Sequence, residues 1–323
     1  MTSTLPVFVL RRLAGALLFV IVVSSTALLL IRLAPGDAST EMKMRVGDAS
    51  VIASEQARLG LDKSPLSQLG SWLAGLARLD LGTSSRYGRP VSGLVAERAG
   101  NTAMLAGLAL VIATVIGIPL GVVSGSRASG SGASGPGVSG PSPAIARSAT
   151  VGVIGLASVL LVACPPILFA LALLYFSLET GWLSSPGSIA LPLVALALPM
   201  AAIVERLQSR ATAETVAMPA LVAAAARGVP RSRLIWVHSL RPSLQPVLGV
   251  YGIIIATLFS GSVAVERITS WPGLGDLMLE GLLGRDVFLV AGCAMVGALL
   301  IALGNIFADV LRALVDPRVR EAA

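Results

Sequence analysis

Apolar residues in this chain are gathered into long unbroken blocks, without the alternation or three-to-four spacing of half-buried elements. The blocks lie at 9–32, 102–123, 149–177, 188–204, 247–265 and 287–311, separated by charges, glycine or proline. A hydrocarbon core about 30 Å thick is crossed by roughly 20 helical residues, so the pattern predicts six transmembrane helices and an all-α membrane protein. The first block, VLRRLAGALLFVIVVSSTALLLIR, follows the flanks of a secretory or twin-arginine signal. It is longer than the apolar region of about 7–15 residues such signals carry, so a retained span is expected. Pro119, Pro165, Pro166, Pro192 and Pro199 lie in or beside the blocks. Membrane helices accept such prolines because neighbouring groups satisfy the freed carbonyls.

The stretches between blocks set the expected organisation. Residues 1–32 form the N-terminus and first span, 33–100 an external segment, and 101–323 a core of five further helices. The external segment is too long for a simple connector. Within it, SPLSQLGSWLAGLARL places Leu66, Leu69, Leu73, Leu76 and Leu79 at helical steps, a stripe for the membrane surface, a partner or loop packing. Residues 124–143, SGSRASGSGASGPGVSGPSP, are low-complexity and predict a flexible loop.

Arginines in the short connections give the orientation, because they mark the cytoplasmic side. Arg11 and Arg12, Arg127 and Arg147, the run from Arg210 to Arg241, and Arg318 and Arg320 all fall on one side of six alternating spans. Residues 178–187 carry only Glu179, and 267–286 mix Arg267 and Arg285 with Asp276, Glu280 and Asp286. Both termini are therefore expected in the cytoplasm.

Composition agrees with the pattern and narrows the function. The 323 residues are 55% hydrophobic and 13% charged, with a mean hydropathy of +0.85, against about 25% charged in soluble domains. The net charge is +7, yet aromatics are only 4% and no basic stripe interleaves with them, so nucleic-acid binding is not expected. Cys164 and Cys293 both sit among apolar residues and read as small hydrophobes. No glycine-rich phosphate loop occurs, since neither Lys43 nor Lys63 follows a glycine. The chain is not its own ATPase. Arg32, Glu205 and Glu266 stand only at block ends, which disfavours a proton relay through the membrane. His238 is the sole histidine, so metalloprotease motifs that need two are excluded. No catalytic residue and no metal ligand is expected.

One connection has a shape of its own. ALVAAAARGVPRSRLIWVHSLRPSLQPV, from Ala220 to Val247, opens with a strong helix former that ends at Arg227. Gly228 suits a left-handed cap, and Pro230 can open a second helix. Such a helix, turn and basic helix make a compact knob able to seat in a groove on a partner; an ordinary interhelical loop is the plain alternative.

The segment resembles the EAA loop of ABC-importer permeases of the dipeptide/oligopeptide type. Ala223, Ala224, Ala226, Arg227 and Gly228 occupy the A-x-A-[KR]-G region, and His238, Arg241 and Pro246 continue the peptide-permease version. LRRL at Leu10, IRLAPGD at Ile31, LGLD at Leu59, DLGTS at Asp80, GRPV at Gly88, WPGLGDL at Trp271, GRD at Gly284 and VDPRVR at Val315 are similar to the same family in the same order. The resemblance implies a type I importer permease fold whose coupling loop, here 206–241, meets the ATPases. It implies a second permease in a heterodimer, two ATP-binding cassette subunits carrying ATP and Mg, and an external solute-binding protein. This chain would bind no cofactor and would sit among the lipids of a prokaryotic inner membrane.

Departures also stand out. Pro219 and Ala220 replace an acidic residue and an aromatic, and Val222 and Ala225 stand where basic residues are frequent. A scaffold with degenerate ATPase coupling is therefore the alternative class, and nickel chelates, sugars or opines are alternative cargoes. Trp271, Pro272, Gly273 and Gly275 either shape an external loop or touch receptor or substrate. Thr257, Ser260 and Ser262 either line the pathway or serve helix packing. Asp316 and Pro317 are expected to end the last helix.

Overall fold

The computed structural model describes residues 5–33, 64–128, 144–181 and 188–315. Their regular structure is helical, with one isolated antiparallel bridge between Thr83 and Pro90. The helices are α1 (Leu5–Leu33), α2 (Pro65–Leu76), α3 (Val91–Ala128), α4 (Ala144–Ala163), α5 (Pro166–Thr180), α6 (Ala190–Val216) and α7 (Pro219–Ala226). A turn at Arg231–Arg233 and a π-helical turn at Leu234–Ser239 lead to α8 (Leu240–Gly249), α9 (Tyr251–Thr269), α10 (Leu274–Leu283) and α11 (Val287–Val315).

Helices α1, α3, α6, α9 and α11 are long and apolar enough to cross a membrane. The block at 149–177 is not one straight span. It breaks at Cys164–Pro165–Pro166, and Gly152–Ala163 meets Pro166–Thr180 at 105°. Tandem prolines remove two N–H donors, and the residue before a proline avoids helical geometry. Taken as one span, the bent pair brings the number to six.

Other boundaries move for similar local reasons. Helix α3 starts at Val91, inside the segment expected outside, and runs to Ala128. Ser124 to Ala128 are thus helical rather than loop, and Ser124 and Ser126 are buried; residues 129–143 lie outside the described residues. Helix α6 continues to Val216, so the connection expected at 206–241 leaves its helix only after that residue. LGLD and the expected stop at Asp316–Pro317 lie outside the described residues. Helix α2 takes up the leucine stripe from Leu66 to Leu76, capped by Ser64, whose hydroxyl accepts from the Ser67 N–H, and Leu79 lies beyond it at φ +60°. Its buried face is Gln68 and Trp72, however, while Leu66 and Leu79 are exposed.

The chain divides into two compact units. In the unit formed by residues 105–261 and 304–323 with the first five, α6 packs on α4, α5 and α8. Gly117, Gly121 and Gly125, one per turn on α3, lie against the backbone of α6. A Cβ at these positions would stand 2.7 Å from the Ala201 oxygen, 2.6 Å from the Glu205 oxygen and 2.2 Å from the Ser209 oxygen. The absent side chains are what let the two backbones meet.

In the unit formed by residues 6–104 and 262–303, two clusters make the core. Leu81, Val91, Leu94 and Val95 pack with Leu274, Leu277, Leu289 and Cys293. Leu28 and Trp72 pack with Val287 and Ala291.

Candidate functional site

The knob forms as a helical hairpin tip between α6 and α8. Met218 is extended and Pro219 takes the first position of α7, where its fixed φ suits the helix and its missing N–H loses no bond. The residue that departs from the family pattern is thus compatible with the helix it opens. At the far end Gly228 has φ +84°. Its N–H donates to the Ala225 carbonyl at 3.0 Å, and the Val229 N–H donates to the Ala224 carbonyl at 3.3 Å. These two bonds are the Schellman pair that satisfies the last carbonyls of a helix.

No residue of α7 is buried. Ala223, Ala226, Arg227, Gly228, His238 and Arg241 are exposed, and Ala224 is half-buried. Met218 and Val222, 47% and 57% exposed, add an uncovered apolar face. The base of the knob is tied down. Arg231 donates to the Ser126 carbonyl near the C-terminus of α3 at 2.9 Å, where cations are favoured.

Polar side chains fill the hairpin beneath it. Gln208 on α6 donates from Nε2 to Ser243 on α8 at 2.8 Å and to Thr212 at 3.0 Å, and all three are buried. Glu205, one turn earlier, accepts from Ser124 at 2.5 Å and from Ser158 at 2.8 Å. It sits inside α6, eleven residues before the helix ends at Val216, and not at a span end as the apolar block suggests.

The three hydroxyl residues singled out on α9 do not share an environment. Thr257 is exposed and bonds its own helix at Ile253. Ser260 is also exposed, while Ser262 is buried and bonds Glu266.

In the second unit the scattered motifs converge on two buried carboxyl groups. Glu266, with no exposed surface, accepts from Thr102 at 2.7 Å and from the Gly275 and Asp276 N–H groups at 2.7 and 3.2 Å. It therefore caps α10. Thr102 in turn accepts from the Leu274 N–H at 2.7 Å, and Asn101 donates to the Pro272 carbonyl at 2.7 Å. Gly273 and Gly275 are required by space. A Cβ at Gly273 would stand 2.2 Å from the Glu266 carboxyl carbon, and one at Gly275 2.6 Å from the Val263 Cα. Trp271 is buried beside them.

Asp286 does the same for α11. Its carboxylate accepts from the Leu289 N–H at 3.1 Å as an N-cap, and from Ser84 at 2.5 Å and the Arg86 N–H at 3.1 Å. DLGTS and GRD, two hundred residues apart, are thus one structure. Tyr87 adds a hydrogen bond to Glu280. Burial first, and then this bond to the Glu280 carboxylate, raise the Tyr87 phenol above its ordinary value of 10.0. The capping roles of Glu266 and Asp286 are not visible in the sequence, because Thr102, Ser84 and Arg86, which share those carboxylates, lie 164, 202 and 200 positions away.

These features define a polytopic all-α membrane protein with a capped knob on an interhelical connection and a motif cluster that fixes its last two helices. The chain belongs to the binding-protein-dependent transport system inner membrane component family, whose model matches residues 144–321, with the family's N-terminal membrane component matching residues 5–103. It is a permease subunit of a transporter, not an enzyme. A Brucella abortus protein named for a peptide transport system permease is 32% identical, covering 97% of this chain and 98% of its own. The oligopeptide transport system permease protein AppB of Bacillus subtilis is 27% identical over 97% and 98%. The glutathione transport system permease protein GsiC of Pectobacterium atrosepticum is 29% identical over the same shares.

Proposed function

We propose that this chain is one of two permease subunits of an ATP-driven importer for di- and oligopeptides, and that the knob from Ala217 to Arg241 receives the motion of cytoplasmic ATPases. The observation that carries the coupling role is the exposed α7 closed by left-handed Gly228. A rigid, uncovered helix on a tied base has the form of an element that seats in another protein. The peptide class follows the relatives named for peptide, oligopeptide and glutathione transport. In this reading a solute-binding protein delivers cargo from outside, and ATP with Mg resides on two cassette subunits. Both termini and the knob face the cytoplasm of a prokaryote. Pro219 occupies the position in a helix that proline prefers, so the departure there leaves the form of the knob intact.

The test is Gly228→Val. A Cβ there meets nothing within 4 Å, so the substitution acts only through backbone strain at φ +84°, about 1 kcal/mol or more. The variant should reach the membrane at normal abundance, with reduced uptake and reduced receptor-stimulated ATP hydrolysis in the assembled complex. Full uptake at equal abundance would make the knob a mere connector.

A further inference from the structure

Of the buried carboxyl groups among the described residues, Glu266 and Asp286 cap helices, but Glu205 caps nothing. It lies within α6 and is 4% exposed. Its two oxygens meet side chains of two other helices, Ser124 of α3 at 2.5 Å and Ser158 of α4 at 2.8 Å. These two bonds are not equivalent. Helices α3 and α6 are already joined without the carboxyl group, since a Cβ at Gly121 would stand 2.6 Å from the Glu205 carbonyl oxygen. The Ser124 hydroxyl also reaches the Leu120 carbonyl of its own helix at 2.9 Å. Loss of the Ser124 bond therefore frees neither helix.

Helix α4 is held differently. Ser158 is the one buried residue from 152 to 163, while Val153, Leu156 and Leu160 are 67%, 61% and 62% exposed. The bond to Glu205 is thus the one buried attachment of this stretch. Six residues further on the helix gives way at Cys164–Pro165–Pro166, and the chain turns through 105° into α5. A helix held at one buried point, and joined to the next by a break in the hydrogen-bond ladder, can turn as a body. On the other side, Arg231 at the base of the knob donates to the Ser126 carbonyl at 2.9 Å, two residues past Ser124 on α3. The knob is tied to the α3–α6 pair, and α4 is tied to the same pair through Glu205.

We infer that Glu205 is a positioning residue for transport, which passes displacement of the knob and the α3–α6 pair to α4 through Ser158 and so turns α4 against α5 at the break. The inference rests on the knob as the receiver of ATPase motion, and it names the bond by which that motion reaches a membrane span.

The test compares Glu205→Met with Glu205→Gln in the assembled importer in proteoliposomes, with receptor-stimulated ATP hydrolysis and peptide uptake measured on the same sample. Methionine fills the space with at most a weak acceptor, and the two serines can turn to carbonyls of their own helices. Glutamine accepts from one serine and donates to the other. Glu205→Met should hydrolyse ATP at the wild-type rate but import about tenfold less peptide per ATP, and Glu205→Gln should restore the ratio. Ser158→Ala, which withdraws the bond from the α4 side, should match Glu205→Met and replaces it if that variant is scarce in the membrane. Ser124→Ala, which leaves α4 attached, should keep the wild-type ratio. A wild-type ratio in Glu205→Met would overturn the inference. So would hydrolysis and uptake falling in step, the mark of a residue that only holds the fold. Gly228→Val separates this from the coupling proposal: full uptake there beside a low ratio in Glu205→Met removes the knob from the route and leaves the step from Glu205 to Ser158.

Discussion

A carboxyl group shut away from solvent is tolerable only when its oxygens are occupied, and Glu266 is met by Thr102, Ser262 and two N–H groups of α10. That occupation explains the glycines around it. Gly273→Ala should cost about 1–3 kcal/mol by overpacking, read as a lower midpoint of thermal unfolding in detergent. Gly93→Ala, where a Cβ meets nothing within 4 Å, should leave the midpoint unchanged or raised. Tyr87 gives a pH signature at the same scale. Its raised phenol pKa means the bond to Glu280 is fully present below pH 10 and is lost as pH rises through the higher folded value. A tyrosinate absorbance titration should therefore lose a late-ionising component in Tyr87→Phe, and an unchanged curve would contradict the bond. Gly228 was legible in the sequence because a helix former, a basic residue, glycine and proline state the turn locally. Gly273 and Gly275 were legible only as a turn. The carboxyl group that needs their space comes from Glu266, and its partner Thr102 lies 164 positions away, where no pattern points to it.

Helix α3 illustrates what an element adds to its residues. Gly117, Gly121 and Gly125 open a groove along one face, and α6 fills it with its own backbone. Gly121→Leu should force the helices apart and lower both the unfolding midpoint and resistance to protease. Gly107→Leu, on the same helix with nothing within 4 Å, should change neither. Stability equal in the two variants would mean the groove is not a close contact. The four-residue spacing of these glycines is visible in the sequence, but not which helix occupies the groove. The bend between α4 and α5 was half visible, since Pro165 and Pro166 announce a break and say nothing of its 105°. The π-turn had no signal. Its five-residue step joins an apolar Leu234 to a polar Ser239, and a buried serine does not mark a hydrophobic face.

For the molecule as a whole, the apolar blocks located the membrane helices because hydropathy depends on composition and not on partners. Their ends were less legible, as α3 and α6 extend beyond the apolar residues once Glu205 accepts from Ser124 and Ser158 and the Gln208 Nε2 donates to Ser243. Sidedness rests on the arginine bias. Cysteine-accessibility labelling should find position 130 and the C-terminus on the cytoplasmic face and position 50 outside. Labelling of 50 and 130 from one side would remove the six-span arrangement. The central claim is that this permease moves solute with energy supplied by separate ATPases through a capped knob. It is tested most directly by peptide uptake into proteoliposomes holding the complete importer. Uptake should require ATP on the ATPase side and hydrolysis-competent cassette subunits, and should persist with a protonophore present. Accumulation driven by a proton gradient with the ATPase subunits left out would contradict it.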